Sequence, residues 1–210
     1  MTALVTTPTK TAGTALLAHT QQATATVTVG SAVDVSGKLL GRIYAKLGRS
    51  ATTAFTNEMT FRLEASAKAS GNDEWFPILT WRSGFGKTAA VAPTVNDASF
   101  NAGDTSFTIS SATSIVAGSL LYFRETGTPA NSEWCRVAGV SGTTITLEEA
   151  TTRNHTNGIT VTNLAEYFSW DVDLSALSRI RLVVDSASAA SGVTADVIAW
   201  LTTLDSVSTV

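Results

Sequence analysis

Between Phe61 and Lys68 apolar and polar residues alternate strictly, with Phe61, Leu63, Ala65 and Ala67 set against Arg62, Glu64, Ser66 and Lys68. A period of two puts the first set on one face of an extended chain and the second on the other, so the segment is predicted to be a half-exposed strand. A slip of one residue would bury charges, and that fixes the register. The same scheme runs from Leu39 to Leu47, where Leu39, Gly41, Ile43, Ala45 and Leu47 oppose Arg42, Tyr44 and Lys46. It returns late in the chain: Phe168, Trp170, Val172 and Leu174 share one face, and Ile180, Leu182 and Val184 share another beside Arg179, Arg181 and Asp185. Trp75 to Trp81 is apolar on both faces. Pro77 there withholds a ladder donor, which predicts a sheet edge or a bulge. A Thr-rich strand from Ala23, a short one through Val33 and Val35, and a last one from Val193 to Leu204 complete this set.

The stretch from Asp97 to Thr162 has a different grain, with short alternating runs broken by small-residue turns. Phe107 and Ile109 mark one strand, and Leu120 to Phe123 reads as a strand buried on both faces. Cys135 and Val137, Ile145 and Leu147 after Ser141-Gly142, and Ile159 and Val161 after Asn157-Gly158 mark the others. These predict a small barrel or sandwich. The terminal strands have one apolar face and too few neighbours to bury it alone, whereas pairing them with the strands before Pro93 gives each face a partner. The expected fold is therefore all-β: a discontinuous β-sandwich or jelly-roll-like domain from residues 23–93 and 163–210, with a small β-barrel-like module inserted at 94–162. A linear two-domain chain divided near Pro93 is the alternative. Ser83 to Pro93, with Gly84 and Gly86, reads as a linker. Residues 1–22, rich in Thr and Ala with isolated Leu16 and Leu17, read as an N-terminal arm, either frayed or ordered on a neighbouring subunit.

Composition narrows the function more than it defines it. Charged residues make up 15% of the chain against 44% hydrophobic, a balance that suits strands and turns better than solvated helices. The net charge of -3 and the scattering of the 14 Lys and Arg argue against nucleic acid as a partner. No apolar run reaches the ~20 residues of a membrane-spanning helix, and Met1 to Pro8 lacks the features of a secretory signal. The expected product is a soluble protein made in a cytoplasm. The single cysteine, Cys135, cannot form an intramolecular disulfide and reads as a buried, inert thiol.

No catalytic, cofactor or metal site is expected. The histidines, His19 and His155, stand apart without a nucleophile motif, and His155 in Arg153-Asn154-His155-Thr156-Asn157 suits a hydrogen-bonding turn role. Asp171 and Asp173 share one strand face and Glu148-Glu149 follows a strand end, patterns that a solvated surface produces unaided. Calcium binding is the other reading of the aspartates. The tryptophans, Trp75, Trp81, Trp134, Trp170 and Trp200, open a carbohydrate-binding alternative, because aromatic faces on β-sandwiches can stack sugar rings. Trp170 is core by pattern. Trp75 and Trp134 each follow a glutamate at a strand start and are expected to be partly exposed. Candidate interaction residues are thus Leu16, Leu17, Trp75 and Trp134.

Four phrases of the middle stretch carry a resemblance: Ala-Gly-Asp-Thr-Ser-Phe-Thr-Ile at Ala102 to Ile109, Val-Ala-Gly-Ser-Leu-Leu-Tyr at Val116 to Tyr122, Ser-Glu-Trp-Cys-Arg-Val at Ser132 to Val137 and Thr-Ile-Thr-Leu at Thr144 to Leu147. Together they resemble a small β module recurrent in virion proteins of tailed bacteriophages. Phe61 to Lys68 and Arg181 to Asp185 resemble phage structural proteins carried among head and tail genes. The resemblance implies a virion component assembled in the host cytoplasm: a capsid decoration protein bridging neighbouring subunits, or a neck or tail component. It also implies other virion proteins as partners, the major capsid protein foremost, and a homo-oligomer. These motifs are strand patterns and transfer no functional residue.

Overall fold

The computed structural model describes residues 6–22, 26–49, 58–71, 74–84, 90–126, 128–186 and 195–209. Six strands precede the middle stretch: β1 (Thr6–Gln22), β2 (Val27–Val29), β3 (Val33–Asp34), β4 (Leu40–Arg49), β5 (Thr60–Ser66) and β6 (Phe76–Arg82). Within it lie β7 (Ser106–Thr108), β8 (Leu120–Arg124), β9 (Glu133–Ser141), β10 (Thr144–Leu147) and β11 (Thr160–Thr162). After it come β12 (Glu166–Asp173), β13 (Arg179–Asp185) and β14 (Ala195–Thr209). The chain is all-β, with one short 3-10 turn at Pro129–Asn131 and no α-helix among the described residues.

Strands from the two ends of the chain interleave. One sheet runs β1-β14-β4-β12; a second runs β2-β13-β5-β6, with β3 also pairing β13. β14 thus lies between two early strands, and so does β13. Both sheets contribute to one apolar cluster, which joins Ile43, Leu47 and Val197 of the first to Phe61, Leu63 and Leu182 of the second. A third sheet, β11-β8-β9-β10-β7, wraps a separate cluster that includes Phe100, Phe107, Phe123 and Val137. Thr94 bridges to Thr160 and Val95 to Ile109, so residues 94 and 95 join the two edges of this sheet and close it into a small barrel.

The alternation of β5 is realised: Phe61, Leu63 and Ala65 are buried while Arg62 and Glu64 face outward. Ala67 falls beyond the strand end and is exposed. β6 lies at a sheet edge, and its pairing with β5 shifts register between Leu63/Leu79 and Glu64/Pro77, so edge and bulge both occur at the proline. Leu121, Tyr122 and Phe123 of β8 are all buried, as a strand covered on both faces requires. Trp170 departs from its core assignment and is 40% exposed. β12 is the outer strand of its sheet, so the inner face there is only partly covered, and Trp170 leans on Trp81 at 6.3 Å between ring centroids.

The N-terminal arm is a correction. Residues 6–22 form β1, an outer strand paired along its length with β14. Leu16 and Leu17 are both buried in the chain's own sandwich core, so they are not anchors held out for a neighbour. Two consecutive residues can point inward because the β1/β14 register shifts on either side of Leu17, the signature of bulged pairing. β1 crosses close over the second sheet at this point. A Cβ on Gly30 would overlap the Leu16 carbonyl, which explains a glycine at that position. The described ends of the expected linker are packed as well: Ser83, Ala90 and Pro93 are buried. The starts of the strands predicted from Ala23 and from Val193 lie outside the described residues.

Candidate functional site

A tyrosine stands at the centre of the contact between the barrel and the sandwich. Tyr122 of β8 is fully buried, and its ring lies over Gly48 of β4, where any side chain would collide with it. Its hydroxyl donates to Asp196 Oδ2 on β14 at 2.7 Å, and Arg124 Nε approaches the same carboxylate at 3.3 Å. Burial, reinforced by the Asp196 charge, pushes the Tyr122 phenol far above its ordinary value, so it stays protonated as a donor. His19 of β1 closes the contact from the other side. Its Nδ1 lies 2.7 Å from the Pro129 carbonyl, which can only accept, so Nδ1 carries the proton. Its Nε2 lies 3.2 Å from the Tyr122 hydroxyl. Thr162, where the chain leaves the barrel, donates to the Arg49 carbonyl at 2.6 Å.

Beside this junction a cleft of about 720 Å³ opens between β9 and the outer face of β4, β12 and β14. Strand register assembles its floor. Lys46 stands opposite Tyr167 on one side and Ile198 on the other, with Trp200 opposite Tyr44 one row away. The Lys46 ammonium lies 5.6 Å from the Trp200 ring centroid, 5.7 Å from Trp134 and 6.0 Å from Tyr167. Trp134 belongs to the barrel, so the cage is built by both bodies. Burial lowers the Lys46 pKa, while Cys135, Glu133 and Glu149 act in the opposite direction. Tyr44 stacks on Trp200 at 5.5 Å, and Gly13 of β1 leaves room for the indole. Charge across the walls balances: Lys46, Arg136 and Arg153 face Glu133, Glu148 and Glu149.

Of the residues singled out in the sequence, Trp134 reaches this cleft and Trp75 does not. Trp75 is half-buried beneath the guanidinium groups of Arg181 and Arg179, 4.2 and 4.9 Å from its ring centroid, so its face is already covered. Trp81 is buried against Phe61. His155 is buried in the barrel, stacked between Phe100 and Phe123, with Nε2 3.0 Å from Glu133 and Nδ1 3.4 Å from Glu125. Glu133 also accepts from the Thr152 amide and hydroxyl. Burial pushes its pKa up, but His155 and Thr152 outweigh that and hold it below the ordinary value. Asp171 is engaged by Arg42 at 2.6 and 2.7 Å, and Asp173 by the Ser175 amide at 2.9 Å. Among the described residues no group of three or more His, Cys, Asp or Glu is arranged to hold a metal ion. Cys135 is buried, and burial together with nearby Glu133 pushes its thiol up to about 12.

Sequence reasoning placed Tyr44 and Lys46 on one strand face but could not see what stood opposite them. Tyr167 and Arg153 were missed. The available signal was a lysine and a tyrosine on the polar face of a strand in a chain with five tryptophans.

No protein-family profile matches this chain, and no curated protein matches it. Among solved structures it is similar to the crystal structure of SPBc2 prophage-derived protein YomS, at 11% identity and a TM-score of 0.32, over 99% of this chain and 100% of that one. A likeness of that strength carries neither fold nor function.

Proposed function

We propose that this chain is a structural part of a tailed-bacteriophage virion, acting by contact and not by turnover, and that its post is capsid decoration. The observation that carries the reading is the behaviour of the two ends. β14 loses its partner β4 at Leu204↔Leu40, but β1 and β14 go on pairing as far as Thr6↔Thr209. Beyond the sandwich they form a two-stranded ribbon. At its base Leu39 and Leu40 are 40% and 50% exposed. A ribbon with open edges above an apolar base suits strand addition and burial against a neighbouring subunit. The resemblance of the strand phrases to modules of phage virion proteins supports the same reading. In this role the protein bridges major capsid protein subunits as a homo-oligomer, and repeated weak contacts at symmetric positions give avidity.

The test is to incubate labelled protein with particles lacking it and image the label. Label across the head surface is expected, with occupancy lost in Leu40→Glu and in a chain shortened by residues 1–9. Label confined to the neck or tail would replace decoration with the neck or tail role, and no label on the particle would refute a virion post.

A further inference from the structure

We propose that the cleft between the barrel and the sandwich is a binding site for a neutral glycan, a short oligosaccharide stacked on Trp134, Trp200 and Tyr167. The inference stands apart from the virion reading, since it needs only the geometry of the cleft.

Three observations select the ligand class. The first is an ammonium without a polar partner. Lys46 makes no hydrogen bond or ion pair among the described residues; three ring systems surround it, with Glu133 and Glu149 near enough to act on its charge without bonding it. Its N–H groups are available to acceptor oxygens inside the cleft. The second is the charge balance. Three cations and three carboxylates line the space, so a strongly anionic or cationic ligand meets as much repulsion as attraction. A quaternary ammonium, the usual guest of an aromatic cage, would also meet the Lys46 charge where it needs the ring faces. A neutral polyol avoids both problems: its hydroxyls accept from Lys46 and Arg153 and donate to Glu149. Glu133 is less free, being held by Thr152 and His155. The third is the aromatic surface. Tyr167 is 45% exposed and is the open platform, while Trp134, packed on Tyr122, and Trp200, stacked on Tyr44, are mostly buried and show the cleft only part of their rings. Sugar rings present a C–H face that packs on such rings, while their edges carry the hydroxyls. The volume lies within the ~300–1,000 Å³ of ligand clefts in general.

The experiment titrates the full chain with maltotriose, cellotriose and the trimer of N-acetylglucosamine, and in parallel with trigalacturonate and choline. Tryptophan fluorescence and calorimetry report binding. At least one neutral trimer is expected to bind and to change the fluorescence, with trigalacturonate and choline weaker. Tyr167→Ala, at an exposed position where folding is not at stake, is expected to weaken that binding by at least about tenfold, as loss of an aromatic anchor does. Trp200→Phe and Lys46→Met should weaken it too, while Trp75→Ala, outside the cleft, should leave it unchanged. Failure of all three neutral trimers overturns the proposal. So does preference for the charged probes, or binding that Tyr167→Ala leaves intact. None of these three results touches the particle-labelling test.

Discussion

Removing one oxygen should measure how firmly the barrel is held to the sandwich. Tyr122→Phe keeps the ring over Gly48 and deletes only the hydroxyl that donates to Asp196 at 2.7 Å. Asp196 is buried, and with the hydroxyl gone its remaining side-chain partners are Arg124 Nε at 3.3 Å and the more distant His19 Nε2 at 3.8 Å. A hydrogen bond to a charged group contributes about 1.5–3 kcal/mol, and that is the expected loss. It is a large fraction of the ~5–15 kcal/mol that a domain has to spare. The phenol is pushed far above its ordinary value by burial, so the loss should be the same at any pH between neutrality and the mildly alkaline range. Urea melts followed by circular dichroism and tryptophan fluorescence supply the measurement, the fluorescence arising in part from Trp134, 4.5 Å from the Tyr122 ring. Asp196→Asn and the double variant complete the cycle, and a coupling above ~0.5 kcal/mol is expected for residues in direct contact. A Tyr122→Phe melt within ~0.5 kcal/mol of the parent, or strict additivity in the double variant, would refute the reasoning.

In the sandwich, Leu63→Ala should cost about 2–5 kcal/mol, because Leu63 is fully buried between the sheets. Glu64→Ala on the other face should cost about 1–3 kcal/mol, more than a surface change, since it strands Arg181, whose Nε and Nη2 lie 2.8 and 2.7 Å from the carboxylate. Equal denaturant midpoints for Glu64→Ala and the parent would contradict the second figure. Replacing Thr94 to Thr162 by a Gly-Ser linker should leave the sandwich folded but less stable, because the Gly48 surface and Asp196 lose their cover; loss of all β circular dichroism would show that the sheets depend on the barrel. Cys135, buried and with its thiol pushed up to about 12, should react slowly with a thiol reagent at pH 8 in native protein and quickly once unfolded in urea, and equal rates would place the thiol at the surface.

Periodicity read the inner strands well, where one face was wet and the other fully covered, and failed at Trp170 of the outer strand β12, which is 40% exposed. The alternation of Phe61 to Lys68 and of Ile180 to Val184 gave the correct inward faces, because a charge on the wrong side is costly. Pro77 gave an edge and a bulge for the same kind of reason, a missing donor that only those positions tolerate. The N-terminal strand was illegible. Thr6 to Gln22 has no clean alternation, since the bulges around Leu17 turn Leu16 and Leu17 to the same side and erase the period of two. Its stability comes from the open edge of β14, which belongs to the far end of the chain and has no trace in the local sequence.

The cleft was hidden for a related reason. Lys46, Trp134, Tyr167 and Trp200 lie on four strands, and none is near another in sequence. Each has an ordinary reading alone: a charge on a polar face, or an aromatic at a strand start. What joins three of them is register, for Tyr167 pairs opposite Lys46, and Trp200 stands one row away beside Tyr44. What adds the fourth is Tyr122, which packs on Gly48 and bonds Asp196 and thereby holds β9 and its Trp134 over the sheet. The same residue that fixes the barrel therefore fixes one wall of the cleft. Tyr122→Phe should therefore loosen the wall as well as the fold, and a change in tryptophan fluorescence is expected at urea concentrations below the main unfolding transition; a fluorescence curve that coincides with circular dichroism throughout would refute the coupling.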